Sequence, residues 1–232
     1  MYSSIVVNLG MRSFSQASIG AAIAVVALLA LGGCAPADDP NASPAPSSEP
    51  TAAPTPELPE EIASHEWPAE FDQALHDELV AMLARDQAGR MGGDDPEGDR
   101  ARTERLLVIV EQYGWPTITL VGKEGEDAAW AIAQHSDLDP EPQAYFLQWL
   151  QAAVDAGEAS PGNLAYLSDR VAVAAGDPQR YGTQMGCGPD GPEPATPIED
   201  EAGLEQRRAD AGLEPYEDYL AEMTEICAEV EG

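Results

Sequence analysis

The sequence predicts a mainly α protein: a single helical domain of about seven helices with at most a small β-hairpin, preceded by a disordered tether. Three observations lead there. Apolar residues recur three and four positions apart through most of residues 61–232, the spacing of one helix face. Gly and Pro punctuate the same stretch where helices would end or begin. Residues 35–60, in contrast, are Ala, Pro, Ser, Thr, Asp and Glu with almost no large apolar side chain. Such a segment cannot bury enough surface to offset the entropy lost on ordering.

The elements follow in order. A first helix runs from Pro68 or Ala69 to about Arg90, with Phe71, Leu75, Leu79 and Met82 on its buried face. Met91 to Asp99 is rich in Gly and Asp and reads as a loop. A second helix covers Arg100 to Tyr113 and turns Leu106, Ile109, Val110 and Tyr113 inward; Gly114 ends it and Pro116 prevents its continuation. Thr117 to Val121 alternates β-branched and aliphatic residues, the pattern of a short strand. A third helix spans Glu124 to His135. Asp139 as N-cap and Pro140 at the first helical position open a fourth, which extends to about Ala156 and buries Phe146, Trp149, Leu150 and Ala153 before Gly157 stops it. The fifth, Pro161 to Ala175, carries Leu164, Leu167, Val171 and Ala174 on one side and Tyr166 and Val173 on another, which suits a central helix. Arg180 to Met185 reads as a strand or extended loop, and Gly186 to Pro197 as irregular. Helices near Asp200 to Ala211 and Tyr216 to Val230 finish the chain.

The N-terminal residues carry a different signal. Arg12 precedes an uncharged apolar run from Ile19 to Leu31, closed by Gly32, Gly33 and Cys34. A basic residue, a short apolar stretch and small residues make a secretory signal; a comfortable membrane span needs roughly 20 apolar residues. Leu31-Gly32-Gly33-Cys34 also resembles the lipobox of bacterial lipoproteins. That resemblance implies that residues 1–33 are a signal peptide and that Cys34 is lipidated, with acyl chains such as palmitate holding it to the extracytoplasmic face of the cell membrane. Residues 34–60 then form a Pro-rich spacer, at ~3 Å per residue in its extended limit, and residues 61–232 an acidic helical domain large enough for one core.

Charge narrows the partners. The chain has 42 Asp and Glu against 11 Lys and Arg, a formal net charge of −31. A field of that sign repels nucleic acids and anionic headgroups. The expected partners are the membrane through the lipid anchor and a cell-envelope component or small ligand, with no nucleic acid. With Cys34 lipidated, Cys187 and Cys227 remain as a pair, which an oxidising compartment favours as a disulfide. The alternative is two buried thiols. Two distant cysteines without clustered histidines do not make a zinc site, and no cofactor is expected.

Polar residues on apolar faces mark the candidate site. Asp86 continues the first helix's stripe one turn beyond Met82, and Arg90 lies one turn further. An isolated buried carboxylate is too costly to leave unpaired. Asp86 therefore pairs with Arg90 or Arg85 in water, or lies buried and reaches Arg170 across two helices. His135 falls near the inner face of the third helix, as a core residue, a helix-end donor or an acid–base group. His135, Asp137 and Asp139 alternate as metal ligands would, but Asp139 has the N-cap to fill and no metal is expected. Asp169 and Arg170 sit on the central helix, where a half-buried Arg wants a carboxylate or an anion. Tyr181-Gly182-Thr183-Gln184 clusters donors and acceptors around a permissive glycine. Arg207 and Arg208 are expected on the surface, paired with Asp200, Glu201 or Glu205.

Asp86-Gln87 with Arg90, Tyr113-Gly114-Trp115-Pro116, Gln134-His135-Ser136-Asp137, Asp169-Arg170 and Tyr181-Gly182-Thr183-Gln184 resemble the signatures of an uncharacterised bacterial family, a domain of unknown function. Arg207-Arg208 followed by Gly212-Leu213 fits it too. The resemblance covers about Leu79 to Tyr219 and implies no activity, substrate or cofactor. Two functions follow as expectations. The first is an anchored envelope protein that binds or scaffolds, since no nucleophile–base pair, phosphate loop or metal set is visible. The second is a hydrolase-like enzyme with a polar pocket centred on His135 and Arg170. There His135 would be acid or base, with Asp169 and Tyr181 as further catalytic candidates and Asp86, Gln87, Arg90 and Gln184 as ligand contacts.

Overall fold

Helix caps and glycines, more than strand propensity, set the architecture. A computed structural model of the protein describes residues 58–230; the expected signal peptide, Cys34 and all but the last residues of the expected tether lie outside them. Leu58 already packs against the core, so the folded part begins within the segment assigned to the tether. The described residues form eight α-helices, in chain order α1 Glu60–Ala63, α2 Gln73–Arg90, α3 Gly98–Tyr113, α4 Ile118–Gln134, α5 Pro140–Asp155, α6 Pro161–Ala175, α7 Leu204–Asp210 and α8 Tyr216–Val230. A two-stranded antiparallel hairpin, β1 Met185–Gly188 and β2 Gly191–Pro194, and a 3-10 turn at Glu201–Gly203 lie between α6 and α7. The expected mainly α fold is what forms, and the small hairpin occupies the stretch expected to be irregular.

Asp72 explains the start of α2. Its carboxylate accepts from the N–H groups of Ala74 and Leu75, both at 3.0 Å, which is how an N-cap works. Phe71 therefore falls before the helix. It is 51% exposed instead of buried on the stripe, while Leu75, Leu79 and Met82 are buried as expected.

The predicted strand at Thr117–Val121 is the first turn of α4. The Thr117 hydroxyl accepts from Leu120 N–H at 3.2 Å, and Glu158 holds the Ile118 N–H through its carbonyl and Thr119 through its carboxylate. Capping overrides the β-branched pattern. Gly122, at φ +69°, then kinks the helix. The carbonyls of Leu120 and Val121 there accept from Asp72 N–H at 2.8 Å and His76 Nδ1–H at 2.7 Å, so the kink leaves them bonded.

The core gathers around α4, which packs against α2, α3 and α6, while α5 lies against α6 and α3. Leu79, Leu106, Ile109, Ile132, Phe146, Leu150 and Leu167 fill it, with Trp115 wholly buried at the turn between α3 and α4. α6 is only partly central: Leu164 and Leu167 are buried, but Val171 is half-buried and Ala174 exposed. β2 packs on α8, and a Cys187–Cys227 disulfide, S–S 2.06 Å, joins the hairpin to that helix. Of the two expectations for these cysteines, the bonded pair is the one found.

Candidate functional site

Three helix ends meet at one buried carboxylate. Asp86, near the end of α2, is 0% exposed. Its oxygens accept from Arg90 Nε and Nη2 at 3.1–3.2 Å and from Gln87 Nε2 at 3.0 Å. His135 Nδ1, from the residue that caps α4, lies 2.9 Å away, and Arg102 Nη2 of α3 lies 3.4 Å away. Burial pushes the Asp86 carboxyl up, but hydrogen bonds and charge from His135 and Arg90 outweigh it and hold its pKa below the ordinary value. Arg90 Nε–H also points at His135 Nδ1, 3.2 Å away, so that ring nitrogen sits between a carboxylate and a guanidinium donor.

Arg102 extends the network. Its Nη1 donates to Asp95 at 2.7 Å, and its Nη2 to Asp95 and Asp99 at 2.7 and 2.8 Å. The Arg102 hydrogen bond holds the Asp95 carboxyl down at about 2, and its acidic partners raise Arg102 in turn. Arg90 Nη2 also reaches Asp99, at 2.9 Å. Thr103 Oγ1 lies 2.9 Å from Ser136 Oγ, tying α3 to the turn after α4. Gln143 of α5 closes the same turn by donating to the carbonyls of Ala133 and Gln134.

A second cluster begins two residues past His135. Asp137 takes Arg170 Nε at 2.8 Å and is also bonded by Arg170 Nη2, while Arg170 Nη1 donates to Gln184 Oε1 at 3.0 Å. Arg170 thus pairs with Asp137 and not with Asp86, because α6 reaches the far side of the 135–137 turn. Beside it, buried Asp169 accepts from the N–H groups of Arg180, Tyr181 and Thr183 and from the Thr183 hydroxyl, at 2.7 to 3.2 Å. Opposite, Arg208 Nη1 and the Tyr219 hydroxyl donate to the carbonyls of Tyr181 and Thr183, at 2.8 and 2.7 Å. Gly182 sits at φ +65°, where a Cβ would come within 2.9 Å of Ile198 and 3.0 Å of Tyr216. The Tyr181–Gln184 loop is therefore clamped from both sides.

The chain belongs to DUF6624, a family of unknown function whose model matches residues 69–228. No curated protein and no solved structure matches it. The matched span contains both polar clusters and both disulfide cysteines.

Within the DUF6624 domain, the candidate residues fall into separate groups, two of which adjoin at the turn from His135 to Asp137. Asp86, Gln87, Arg90 and His135 come together, as do Asp137, Arg170 and Gln184. No hydrogen bond or ion pair among the described residues links His135 to Arg170 or Tyr181, and the Tyr181 ring instead lies 5.9 Å from the Arg180 guanidinium. The alternating acids do not converge on a metal: His135 meets Asp86, Asp137 meets Arg170, and Asp139 bonds Arg100 at 2.8 Å. Asp139 precedes α5 but makes no side-chain cap. Arg208 corrects another expectation. It is 1% exposed, bonded to the Glu214 and Tyr181 carbonyls and stacked over Tyr216 and Tyr219. Arg207 does reach Asp200, at 3.3 Å, but its stronger bonds are to the carbonyls of Arg180, Glu199 and Asp200.

Sequence reasoning missed Arg102 and Glu126. Glu126 is wholly buried in α4, accepting from Trp115 Nε1 at 3.3 Å and Asn163 Nδ2 at 3.0 Å, with a further bond from the Ser160 backbone. Burial, aided by neighbouring Asp127, raises its carboxyl to about 7. Both residues had a readable signal: Arg102 lies one turn before Leu106, and Glu126 lies on the face that carries Ala129 and Ala133.

Proposed function

We propose that this protein is an exported, membrane-anchored binding or scaffolding module of the cell envelope, with the DUF6624 domain held off the membrane by the segment 34–60. The observation that carries a binding role is the mutual saturation of the polar clusters. Asp169 is committed to the backbone of one loop, and Asp86 is shared among Arg90, His135 and Arg102. Groups held this way fix a rigid surface and are poorly placed to exchange protons or attack. Export is supported by the Cys187–Cys227 disulfide, a bond that persists in oxidising compartments.

Full-length protein made in a bacterium fed an alkyne palmitate analogue should fractionate with membranes and carry the label, and Cys34→Ser should lose both. Recovery of unlabelled chain from the cytosol, with residues 1–33 intact, refutes the anchored role. A second function is favoured by one contact only. His135 Nδ1 lies 2.9 Å from the Asp86 carboxylate, and a carboxylate that holds the proton on Nδ1 would leave Nε2 as a general base. Turnover of ester or amide substrates that His135→Asn abolishes, without a change in melting temperature, would replace binding with hydrolysis.

A further inference from the structure

Basic residues are scarce in this chain, and nearly half of them gather in one place. Arg85, Arg90, Arg100, Arg102 and Arg105 all lie on α2 and α3, in a protein with 11 Lys and Arg against 42 acids. Arg85, Arg102 and Arg105 line one cleft of about 250 Å³ between the two helices, with Glu78 and Glu97 beside them and buried Met82 beneath.

The three arginines are held very differently. Arg102 is 2% exposed, both its Nη atoms are bound by Asp95, Asp99 and Asp86, and its Nε is buried without a hydrogen-bond partner. An unbonded buried donor is rare and costly, and marks a place where an acceptor belongs. Arg85 and Arg105 are each held by one open carboxylate: Arg85 to Glu97 by a single bond at 3.1 Å, Arg105 to Glu78 by a fork, Nε to Oε1 at 2.5 Å and Nη2 to Oε2 at 2.8 Å, with every partner's side chain at least 36% exposed. A single exposed ion pair such as Arg85–Glu97 contributes little, and the forked Arg105–Glu78 pair, open to water, is the firmer of the two. A ligand anion can take the place of either glutamate and release it to water, leaving no charge buried alone. Asp86 has no such exit, because it is buried and shared with His135, and Asp95 grips Arg102 through both Nη atoms.

We propose that this cleft binds the oxyanion group, phosphate or carboxylate, of a small molecule. Arg85 and Arg105 supply the two exchangeable arms in place of Glu97 and Glu78, and Arg102 forms the fixed inner wall. Arginine suits the task because its planar fork matches both oxyanions. The site does not depend on the lipid anchor or on any role of His135.

The test titrates the full-length protein, detergent-solubilised where it is acylated, with inorganic phosphate and separately with acetate, following the arginine Nε–H resonances by NMR. Saturable shifts at Arg85, Arg102 and Arg105 are expected, and the anion giving the tighter curve identifies the ligand chemistry. Arg85→Gln with Arg105→Gln should weaken binding at least about tenfold, the loss of one charge-assisted contact. Glu78→Gln with Glu97→Gln should tighten it by a similar factor, because the arginines no longer need to be freed. That gain cannot come from unfolding, so the second pair decides the matter even where the first melts early. Shifts that stay linear into tens of millimolar in both the wild type and the glutamine-for-glutamate pair overturn the proposal, as does binding unchanged in both pairs.

Discussion

Replacing Glu126 by Gln should make the protein more stable at alkaline pH and flatten its pH dependence between about 5 and 8. The carboxyl is raised from 4.5 in the unfolded chain to about 7 in the folded one. Between those values the native state holds a proton that the unfolded state has released. Stability therefore falls as pH climbs through this window, and the loss is complete above the folded pKa. At 1.36 kcal/mol per pKa unit, ionising Glu126 in the fold costs about 3 kcal/mol, an upper figure because the buried site relaxes. For a domain of this size that is about 6–12 °C in melting temperature. The substituted amide carries no charge to desolvate, but it replaces two acceptor oxygens by one, facing the Trp115 and Asn163 donors, so the net gain at pH 8 will be smaller. The slope is the cleaner readout. Asp86, whose pKa is lowered, contributes stability that is lost only as pH falls below the ordinary carboxylate range, outside this window. Thermal melts of wild type and Glu126→Gln at half-unit steps from pH 5 to pH 8.5 measure both slopes. Parallel curves would refute the assignment of the neutral-pH loss to this buried carboxyl.

Asp169→Asn turns one acceptor oxygen into a donor that faces backbone N–H groups, and should cost roughly 2–4 kcal/mol. Amide exchange at Arg180, Tyr181 and Thr183 should speed up well beyond that elsewhere; uniform acceleration would mean the carboxylate is not the clamp on that loop. Gly114→Ala should destabilise by at least about 1–2 kcal/mol. The residue sits at φ +73°, and a Cβ would stand 2.5 Å from His65 Nε2 and 2.9 Å from Trp149. A melting temperature equal to wild type would contradict that crowding.

The sequence pattern located burial far better than partnership. A polar residue on an apolar stripe signalled buried Asp86, and the same rule applied to α3 and α4 also points to Arg102 and Glu126. The rule works because helical periodicity is local. It fails at Phe71 because Asp72 caps the helix one residue later, and at Thr117–Val121 because a cap and Glu158 outweigh alternation. Which charges meet is a different matter, since it depends on how helix ends are aimed. Gly114 and Gly122, both at positive φ, turn the chain before and within α4, so that the far end of α4 delivers His135 to Asp86 and, two residues later, Asp137 to Arg170. One short turn thus separates two ion networks that spacing alone joined as Asp86 with Arg170. Arg208 shows the same limit: an arginine beside Arg207 in an acidic tail reads as surface, yet two backbone carbonyls and two tyrosines make a buried seat for it. The proposed oxyanion site draws on the same geometry. Asp86 is committed to Arg90, Arg102 and His135, whereas Arg85 and Arg105, which share one cleft between α2 and α3, pair with carboxylates open to water.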